Sequence, residues 1–393
     1  MKGALFLGWR YVAFHKVKAS ILTGAITLML FLPAATRVLV NDSATALTSR
    51  ADQTPIIAGS RGSPLELALN SLYFHAGKAP AMPFSTYREL QGTGLARAIP
   101  MYTRFNSRTA PIVGTSLDYF GFRKLMLAEG RMMGMLGETV IGANVAAGRN
   151  VGVGDSVVSS PETVFDIAGT YPLKMTVVGV LEPSGTPDDD AIFVDVKTTW
   201  VIQGLGHGHQ DLESPEASAA VLNRTDSMVT ANASVVEYAE ITAENIGNFH
   251  FHGIDTGFPL SSVILAPPDD KSSTLLRGRY QENDLGLQLI VPSSVLNDLL
   301  DTVFTVQNYV VLGLAILGLA TVAVIMLVFL LSQQLRKGEF HTLSRIGASK
   351  SFIGILIASE ILFVIVLSVI LATLLTLAVR QFALEILLMF IGL

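Results

Sequence analysis

The sequence predicts a membrane protein with three transmembrane α-helices and a large extracytoplasmic α+β domain inserted between the first two. Half of the 393 residues are hydrophobic and only 15% are charged, whereas soluble domains usually carry about 25% charged residues. The hydrophobic residues are concentrated in three runs, 19–40, 303–332 and 351–379. Each run is long enough to cross a bilayer core, which takes roughly 20 residues.

Loop charges predict the orientation of these helices. Residues 1–18 and 333–350 each contain four basic residues, with no acidic residue in the first segment and one in the second. Because loops rich in lysine and arginine stay in the cytoplasm, both segments are expected on that side of the cell inner (plasma) membrane. Residues 41–302 carry 17 basic and 29 acidic residues and are therefore expected outside, in the periplasm or extracellular space. Run 19–40 could also be a signal peptide, but 18 residues precede it and no clear cleavage site follows.

The first segment, 1–18, is expected to be an amphipathic cytoplasmic helix at the membrane surface. Its residues at helical spacing are Leu5, Trp9, Val12 and Lys16. An extended start of the first transmembrane helix is the alternative.

Short apolar segments separated by Gly, Pro, Asn and Asp predict an α+β domain over residues 41–302. The predicted strands are Glu138–Ile141, Ser156–Val158, Lys174–Leu181, Ala191–Val196 and Leu287–Val291. The predicted helices are Pro64–Tyr73, Ser85–Leu90 and a helix from Val295 onward, capped by Ser294 and continuing into the second transmembrane run. Asp188, Asp189 and Asp190 follow Gly-Thr-Pro and predict a solvent-exposed acidic turn.

Residues 333–350 are predicted to form a short basic helix that leaves the membrane and then turns back. Phe340, Leu343 and Ile346 recur every three residues and therefore form an apolar stripe on one face of this helix. The stripe fits a groove of a cytoplasmic partner and fits the bilayer surface equally well. Gly347 is placed to end the helix in the left-handed conformation.

The third transmembrane helix has two further features. Ser349 or Ser351 is placed to cap its first turn. Glu360 is the one charged residue in run 351–379, and an acid in an apolar helix is unfavourable unless it faces other helices, a cavity or the cytoplasmic interface. Glu360 is therefore expected to pair with a basic residue of 333–350 or to take part in moving the helices. The alternative is that it lies near the lipid headgroups or is protonated.

Four of the seven histidines form two His-x-His pairs, at His207, His209, His250 and His252. Alternate residues of a strand share one face, so either pair could bind a divalent metal such as zinc. Asp211, Glu213 or Asp255 could add oxygen ligands. The alternative is a set of exposed loop histidines that bond to the backbone.

Several function classes are excluded. A net charge of −5 does not provide the positive field that a nucleic-acid-binding protein needs. The sequence contains no cysteine, which excludes thiolate metal sites and cysteine nucleophiles. It also contains no G-x-x-x-x-G-K-[ST], G-x-S-x-G or H-E-x-x-H motif, so the chain is not expected to be an enzyme.

Residues 333–360 resemble the cytoplasmic link of the FtsX/MacB-like permease family of ABC transport systems. The matching residues are Arg336, Glu339, Leu343, Gly347, Ala348, Ser349 and Glu360. Three stretches are similar to the periplasmic core domain of that family, Gly62–Phe74, Thr115–Arg131 and Glu138–Asp195. The family has four transmembrane helices, so the fourth is expected to be missing or truncated here. The apolar tail 380–393 is too short to cross alone and is expected to be re-entrant, interfacial or the start of a further segment.

The resemblance implies a permease subunit that works as a homodimer with a separate cytoplasmic ABC ATPase subunit, which would bind the ATP. The residues that would contact the ATPase are Arg336, Glu339, Phe340, Leu343, Ile346 and Gly347. Such a subunit transmits ATPase-driven motion to its outer domain, for export or extracytoplasmic substrate handling, with a periplasmic adaptor or substrate-binding protein as a further partner. The alternative from a different class is a membrane-anchored zinc-binding or sensing module of a metal transport system.

Overall fold

A computed structural model describes residues 2–75, 80–160, 172–209, 221–225, 228–231, 238–281 and 286–391. The chain forms two compact units. The helical unit comprises Met1–Ser49 and Asn297–Leu393, and the sheet unit comprises Arg50–Leu296.

The helices, in chain order, are α1 (Lys2–Phe14), α2 (Lys16–Asp52), α3 (Pro64–Tyr73), α4 (Phe84–Gly92), α5 (Asp118–Arg123), α6 (Ala143–Arg149), α7 (Val196–Ile202), α8 (Asp270–Gln281), α9 (Pro292–Leu335), α10 (Lys337–Arg345) and α11 (Lys350–Ile391). The strands are β1 (Ile56–Ser60), β2 (Met82–Pro83), β3 (Arg97–Ser107), β4 (Ala110–Thr115), β5 (Leu127–Gly130), β6 (Glu138–Ile141), β7 (Ser156–Val158), β8 (Lys174–Leu181), β9 (Ile192–Asp195), β10 (Gly206–Gly208), β11 (Val221–Thr225), β12 (Met228–Ala231), β13 (Phe249–Phe251), β14 (Pro259–Leu260), β15 (Ser262–Ala266) and β16 (Leu287–Ile290).

Within the part of the chain that the structure describes, three helices are long and apolar enough to cross a membrane, and each contains one of the three predicted runs. These are Lys16–Asp52, Pro292–Leu335 and Lys350–Gln381. Many of their large apolar side chains, including Leu319 and Leu327, are mostly exposed. Apolar surface of this extent is expected to meet lipid or another protein.

The apolar tail is not a separate segment in the structure. α11 continues from the third predicted run through residues 380–391 without a break. The sequence contains no glycine or proline between Gly354 and Gly392, so it has no residue that readily ends a helix there.

The sheet unit is built on a ten-stranded sheet with the order β16-β1-β15-β3-β4-β9-β6-β8-β5, and β7 pairs with β8. β4 and β9 are parallel, as are β6 and β8, whereas the other pairs in this sheet are antiparallel. Consecutive residues such as Ile112 and Val113, or Ile192 and Phe193, lie in different buried clusters. Since neighbours in a strand point to opposite faces, both faces of the sheet are covered by apolar side chains.

Most predicted elements of the sheet unit are confirmed. β6, β7, β8 and α3 have the predicted bounds, and the other predicted strands and helices are present with ends shifted by a few residues. The predicted cap at Ser294 is wrong, because α9 already begins at Pro292. Proline favours the first turn of a helix, where its missing N–H is not needed.

The predicted solvent-exposed turn at Asp188–Asp190 is also wrong. The Asp188 side chain is 1% exposed and accepts two hydrogen bonds from the Arg50 guanidinium, at 2.6 and 3.0 Å, and one from the Tyr119 hydroxyl at 2.7 Å. Asp189 is buried as well and accepts from the backbone N–H groups of Ser184 and Gly185. Burial raises the pKa of Asp188, but the Arg50 and Tyr119 hydrogen bonds and the Arg50 charge outweigh it and hold this pKa below its usual value.

Replacing Asp188 by Asn should strongly destabilise the sheet unit, because it leaves the Arg50 charge buried without its partner. Breaking a buried ion pair on one side typically costs about 3–5 kcal/mol of unfolding free energy. Thermal or denaturant unfolding of the full chain in detergent measures this loss. Asp190→Asn is the matched control, since Asp190 is exposed in the same turn, and equal stability of the two variants would contradict the assignment.

A second carboxylate, Glu138 at the start of β6, is nearly buried. It accepts hydrogen bonds from Arg131 Nη1 at 2.7 Å and from the backbone N–H groups of Gly134 and Met135 at 2.8 and 3.0 Å. The Arg131 hydrogen bond, together with these N–H groups, outweighs burial and lowers the pKa of Glu138 to about 2.

Because the folded-state pKa of Glu138 lies below its unfolded-state value, this carboxylate should stabilise the fold above about pH 4.3 and lose that contribution as pH falls toward 2. Glu138→Gln should therefore lose roughly 2 kcal/mol at pH 7 and little at pH 2. Unfolding measured across this pH range tests the difference. The exposed Glu129→Gln variant should follow the wild-type curve, and a Glu138→Gln deficit that does not change with pH would contradict the prediction.

Candidate functional site

Arg336 lies between α9 and α10 and pairs with Glu360, the acid in the apolar helix α11. Its Nη1 atom donates hydrogen bonds to both carboxylate oxygens of Glu360, at 2.8 and 2.9 Å, and its Nε atom donates to Glu339 at 3.0 Å. Arg336 and Glu360 are 11% and 7% exposed, whereas Glu339 is mostly exposed. Of the two placements predicted for Glu360, the structure has the one in which it pairs with a basic residue of 333–350.

Two aromatic rings contact the Arg336 guanidinium. Its central carbon lies 3.7 Å from the ring centroid of Tyr11 in α1 and 4.9 Å from that of Phe340 in α10. A guanidinium stacks well on aromatic faces and is attracted to their negative electrostatic potential. The rings therefore hold Arg336 in place while they shield it from water.

Lys18 brings a second cation from α2. Its Nζ atom donates a hydrogen bond to the Ser332 hydroxyl at 2.5 Å and lies 5.4 Å from the ring centroid of Phe329, both in α9. The Lys18 charge also attracts the Glu360 carboxylate. We call Tyr11, Lys18, Arg336 and Glu360 the Glu360 cluster, and it joins α1, α2, the α9–α10 junction and α11.

Helix α1 approaches α11 closely at a glycine. A Cβ atom at Gly8 would lie 2.0 Å from the Ser359 hydroxyl oxygen, so a larger residue would require the Ser359 side chain to move. Trp9 packs edge-on against Phe363 with ring centroids 5.6 Å apart, yet it remains 53% exposed. The packed face of α1 thus contains two small residues four positions apart, Ala4 and Gly8, which is a common signal of close helix contact in membranes.

The stripe of α10 is divided between two environments. Phe340 and Leu343 are half-buried, and Leu343 lines a groove together with Leu7 and Leu356. Ile346, by contrast, is 76% exposed. The predicted stripe therefore rests partly on α1 and α11 and offers one apolar side chain to the outside.

The turn after α10 confirms the prediction from its sequence. Gly347 has a φ of +98°, the left-handed conformation that ends helices. The Ala348 N–H donates to the Leu343 carbonyl at 3.0 Å, and the Phe352 N–H donates to the Ser349 hydroxyl at 3.2 Å. Ser349, the residue before α11, is therefore its cap.

The four histidines of the His-x-His pairs come together in the sheet unit. β10 pairs with β13 so that His207 lies opposite His250, and one ligand nitrogen each of His207, His209 and His250 lies within 4.8 Å of the others. The Nε2 atoms of His252 and His207 are 3.5 Å apart. Asp211 and Glu213 lie outside the described residues. Asp255 forms an exposed ion pair with Arg88 at 2.5 Å.

Comparisons with known proteins match part of the chain. The sequence model described as "MacB-like periplasmic core domain" matches residues 21–238. The periplasmic region of MacB from Actinobacillus actinomycetemcomitans is 11% identical with a TM-score of 0.34, covering 66% of this chain and 97% of that one. The extracellular domain of the noncanonic ABC-type transporter YknZ from Gram-positive bacteria is 13% identical with a TM-score of 0.32. This match covers 60% of this chain and 98% of that one. A comparison with curated proteins finds no match.

The apolar helices and the matched domain define a membrane protein with a large extracytoplasmic domain. Within that class, the chain belongs to the FtsX/MacB-like family of ABC transporter permeases, as the resemblance of its sequence implied. Members of this family are generally non-catalytic subunits. The alternative class, a zinc-binding or sensing module of a metal transport system, is not supported by these comparisons.

Removing one partner of the Glu360 cluster should destabilise the chain more than removing both. Arg336→Gln or Glu360→Gln leaves a nearly buried charge without its main partner, at a cost of up to about 3–5 kcal/mol, whereas the double variant leaves neither charge. Unfolding of the full chain in detergent measures this cycle. Arg345→Gln, which removes an exposed charge of α10, is the control. Additive losses in the double variant would contradict the pairing.

Proposed function

We propose that this chain is the permease subunit of an ABC-type complex in the inner (plasma) membrane and that α10 is the helix that contacts a separate cytoplasmic ATPase subunit. One observation carries the proposal. None of the residues of α10 is buried, yet the residue at its base, Arg336, is held between Glu360 of α11 and Tyr11 of α1. An accessible helix with an anchored base can receive a displacement from outside and pass it to the helices behind it.

The anchor makes α10 and α11 move together. If α10 shifted alone, Glu360 would lose its hydrogen-bonded Arg336 partner and keep only the charge of Lys18 to compensate it in an apolar surrounding, which costs several kcal/mol. Displacing α10 together with α11 keeps that pair intact. Tyr11 and the close contact at Gly8 bring α1 into the same group of helices.

The charges of α10 support its cytoplasmic placement. Lys337 and Arg345 are exposed at its two ends, and basic loops are retained in the cytoplasm. The sequence has no phosphate-binding G-x-x-x-x-G-K-[ST] motif, so ATP would bind the partner subunit. Members of the family work with such an ATPase. Two copies of this chain would pair with two ATPase subunits.

The sheet unit would then handle the substrate outside the membrane. It forms a compact domain with a sheet that is buried on both faces. It could therefore move as a rigid body and so change its contacts with a substrate, an adaptor or a second copy of the chain. Export and extracytoplasmic substrate handling both fit this arrangement.

Ile346 provides the sharpest test of the ATPase contact. It is the exposed member of the stripe and contributes little to packing within the chain, so Ile346→Asp should weaken ATPase binding without unfolding α10. The full chain is purified from its native cell in mild detergent, and a co-purifying ATPase is identified by mass spectrometry through its G-x-x-x-x-G-K-[ST] motif. We expect the wild type to recover the ATPase and Ile346→Asp to lose most of it.

His341→Asp is the matched control, because it adds the same charge at an exposed position within α10, whereas Ile346 directly follows that helix. It should retain the ATPase. Equal recovery with Ile346→Asp and His341→Asp would place the contact elsewhere on the chain, and recovery of no ATPase with the wild type would overturn the proposed function.

A further inference from the structure

The pairing of β10 with β13 presents histidines on one face and covers the other face with aromatic rings. Gly206 and Gly208 alternate with the histidines of the first pair, and a Cβ atom at either glycine would lie within about 2.6 Å of the ring of Phe251 or Phe249. Both rings pack against the buried core of the sheet unit. Because side chains alternate along a strand, the histidines of both segments point away from that core.

We call the four residues His207, His209, His250 and His252 the histidine ladder, and we infer that it binds one divalent zinc ion. Ligands about 2.1 Å from a tetrahedral zinc ion lie about 3.4 Å from one another. The 3.5 Å between Nε2 of His252 and Nε2 of His207 already has this length. The nitrogens of His207, His209 and His250, which lie within 4.8 Å of one another, require only small side-chain rotations.

The ladder selects the kind of ion by its donor atoms. Imidazole suits zinc and other late first-row metals, whereas calcium and magnesium require oxygen ligands, and the ladder itself contains none. Nδ1 of His250 lies 3.4 Å from the Asn248 carbonyl oxygen, and a proton on Nδ1 leaves the Nε2 lone pair for a metal. In metal sites, a histidine that binds the metal through one ring nitrogen commonly donates the N–H of the other to a backbone carbonyl in this way.

The bound ion would join two short segments that are remote in sequence. β10 and β13 have three residues each and form a separate two-stranded sheet, so few backbone hydrogen bonds hold them together. A ligand that binds only the folded arrangement stabilises it in proportion to its affinity and concentration. Zinc should therefore raise the unfolding temperature of the sheet unit, independently of whether the chain binds an ATPase.

The test uses the full chain in detergent, purified with a tag that contains no histidine and stripped of metal with a chelator. Titration with Zn²⁺ in a calorimeter should give about one ion per chain, and Mg²⁺ should give no binding. The double variant His207→Ala/His250→Ala removes the two opposed ligands and should lose this binding. His75→Ala is the control, because His75 is exposed in the same unit but outside the ladder.

Two further measurements separate a lost ligand from a lost fold. Without metal, the double variant and the wild type should unfold at the same temperature, and only the wild type should become more stable when zinc is added. Bound Co²⁺ should give the intense visible absorption of a four-coordinate site in the wild type, weakened in His252→Ala. The absence of Zn²⁺ binding by the wild type, or equal binding by the double variant and His75→Ala, would overturn the inference.

Discussion

A carboxylate in an apolar helix must meet a cation, and in the helical unit this requirement determines where the helices come together. Glu360 is compensated by Arg336 at the α9–α10 junction and by Lys18 of α2, while Tyr11 of α1 covers the guanidinium. Arg336 lies at the junction of α9 and α10 and not in the middle of a helix. The ion pair that neutralises Glu360 therefore also sets the direction in which α10 leaves α9. Arg336 shares its guanidinium with the exposed Glu339, so a buried and an accessible carboxylate bind one cation.

The sheet unit uses the same chemistry for a different purpose. Asp188 binds Arg50 through both carboxylate oxygens and is enclosed further by Tyr119, and all three side chains are buried. Among the described residues, no exposed carboxylate forms an ion pair with Arg50. A pair of this kind fixes one arrangement, because every alternative leaves a buried charge unpaired. The Glu360 cluster, at a helix junction where Arg336 also binds the exposed Glu339, is better suited to movement.

The sequence predicts those parts of the structure that local chemistry controls. The apolar runs, the helix end at Gly347, the cap at Ser349 and the strands β6 to β8 follow from length, periodicity and turn residues. The central strands β1, β3, β4 and β15 were not predicted, since a sheet that is buried on both faces shows no alternation, and Pro100 breaks the sequence pattern of a strand although β3 runs through it. The burial of Asp188 depends on Arg50, 138 residues away, and no local pattern contains that partner. In the Glu360 cluster, Glu360 and Arg336 were predicted, whereas Tyr11 and Lys18 were not, because their roles arise only when four helices meet.

The alternation of glycine with histidine in β10, and of phenylalanine with histidine in β13, has a consequence for how this region can diverge. Inserting or deleting one residue in either strand would exchange its two faces, placing imidazoles against the core and aromatic rings in water. Such a change damages the packing and the histidine face in one step. Related sequences that keep the aromatic packing are therefore expected to keep the spacing of both segments, even where individual histidines have been replaced, and length changes are expected only in the connecting segments.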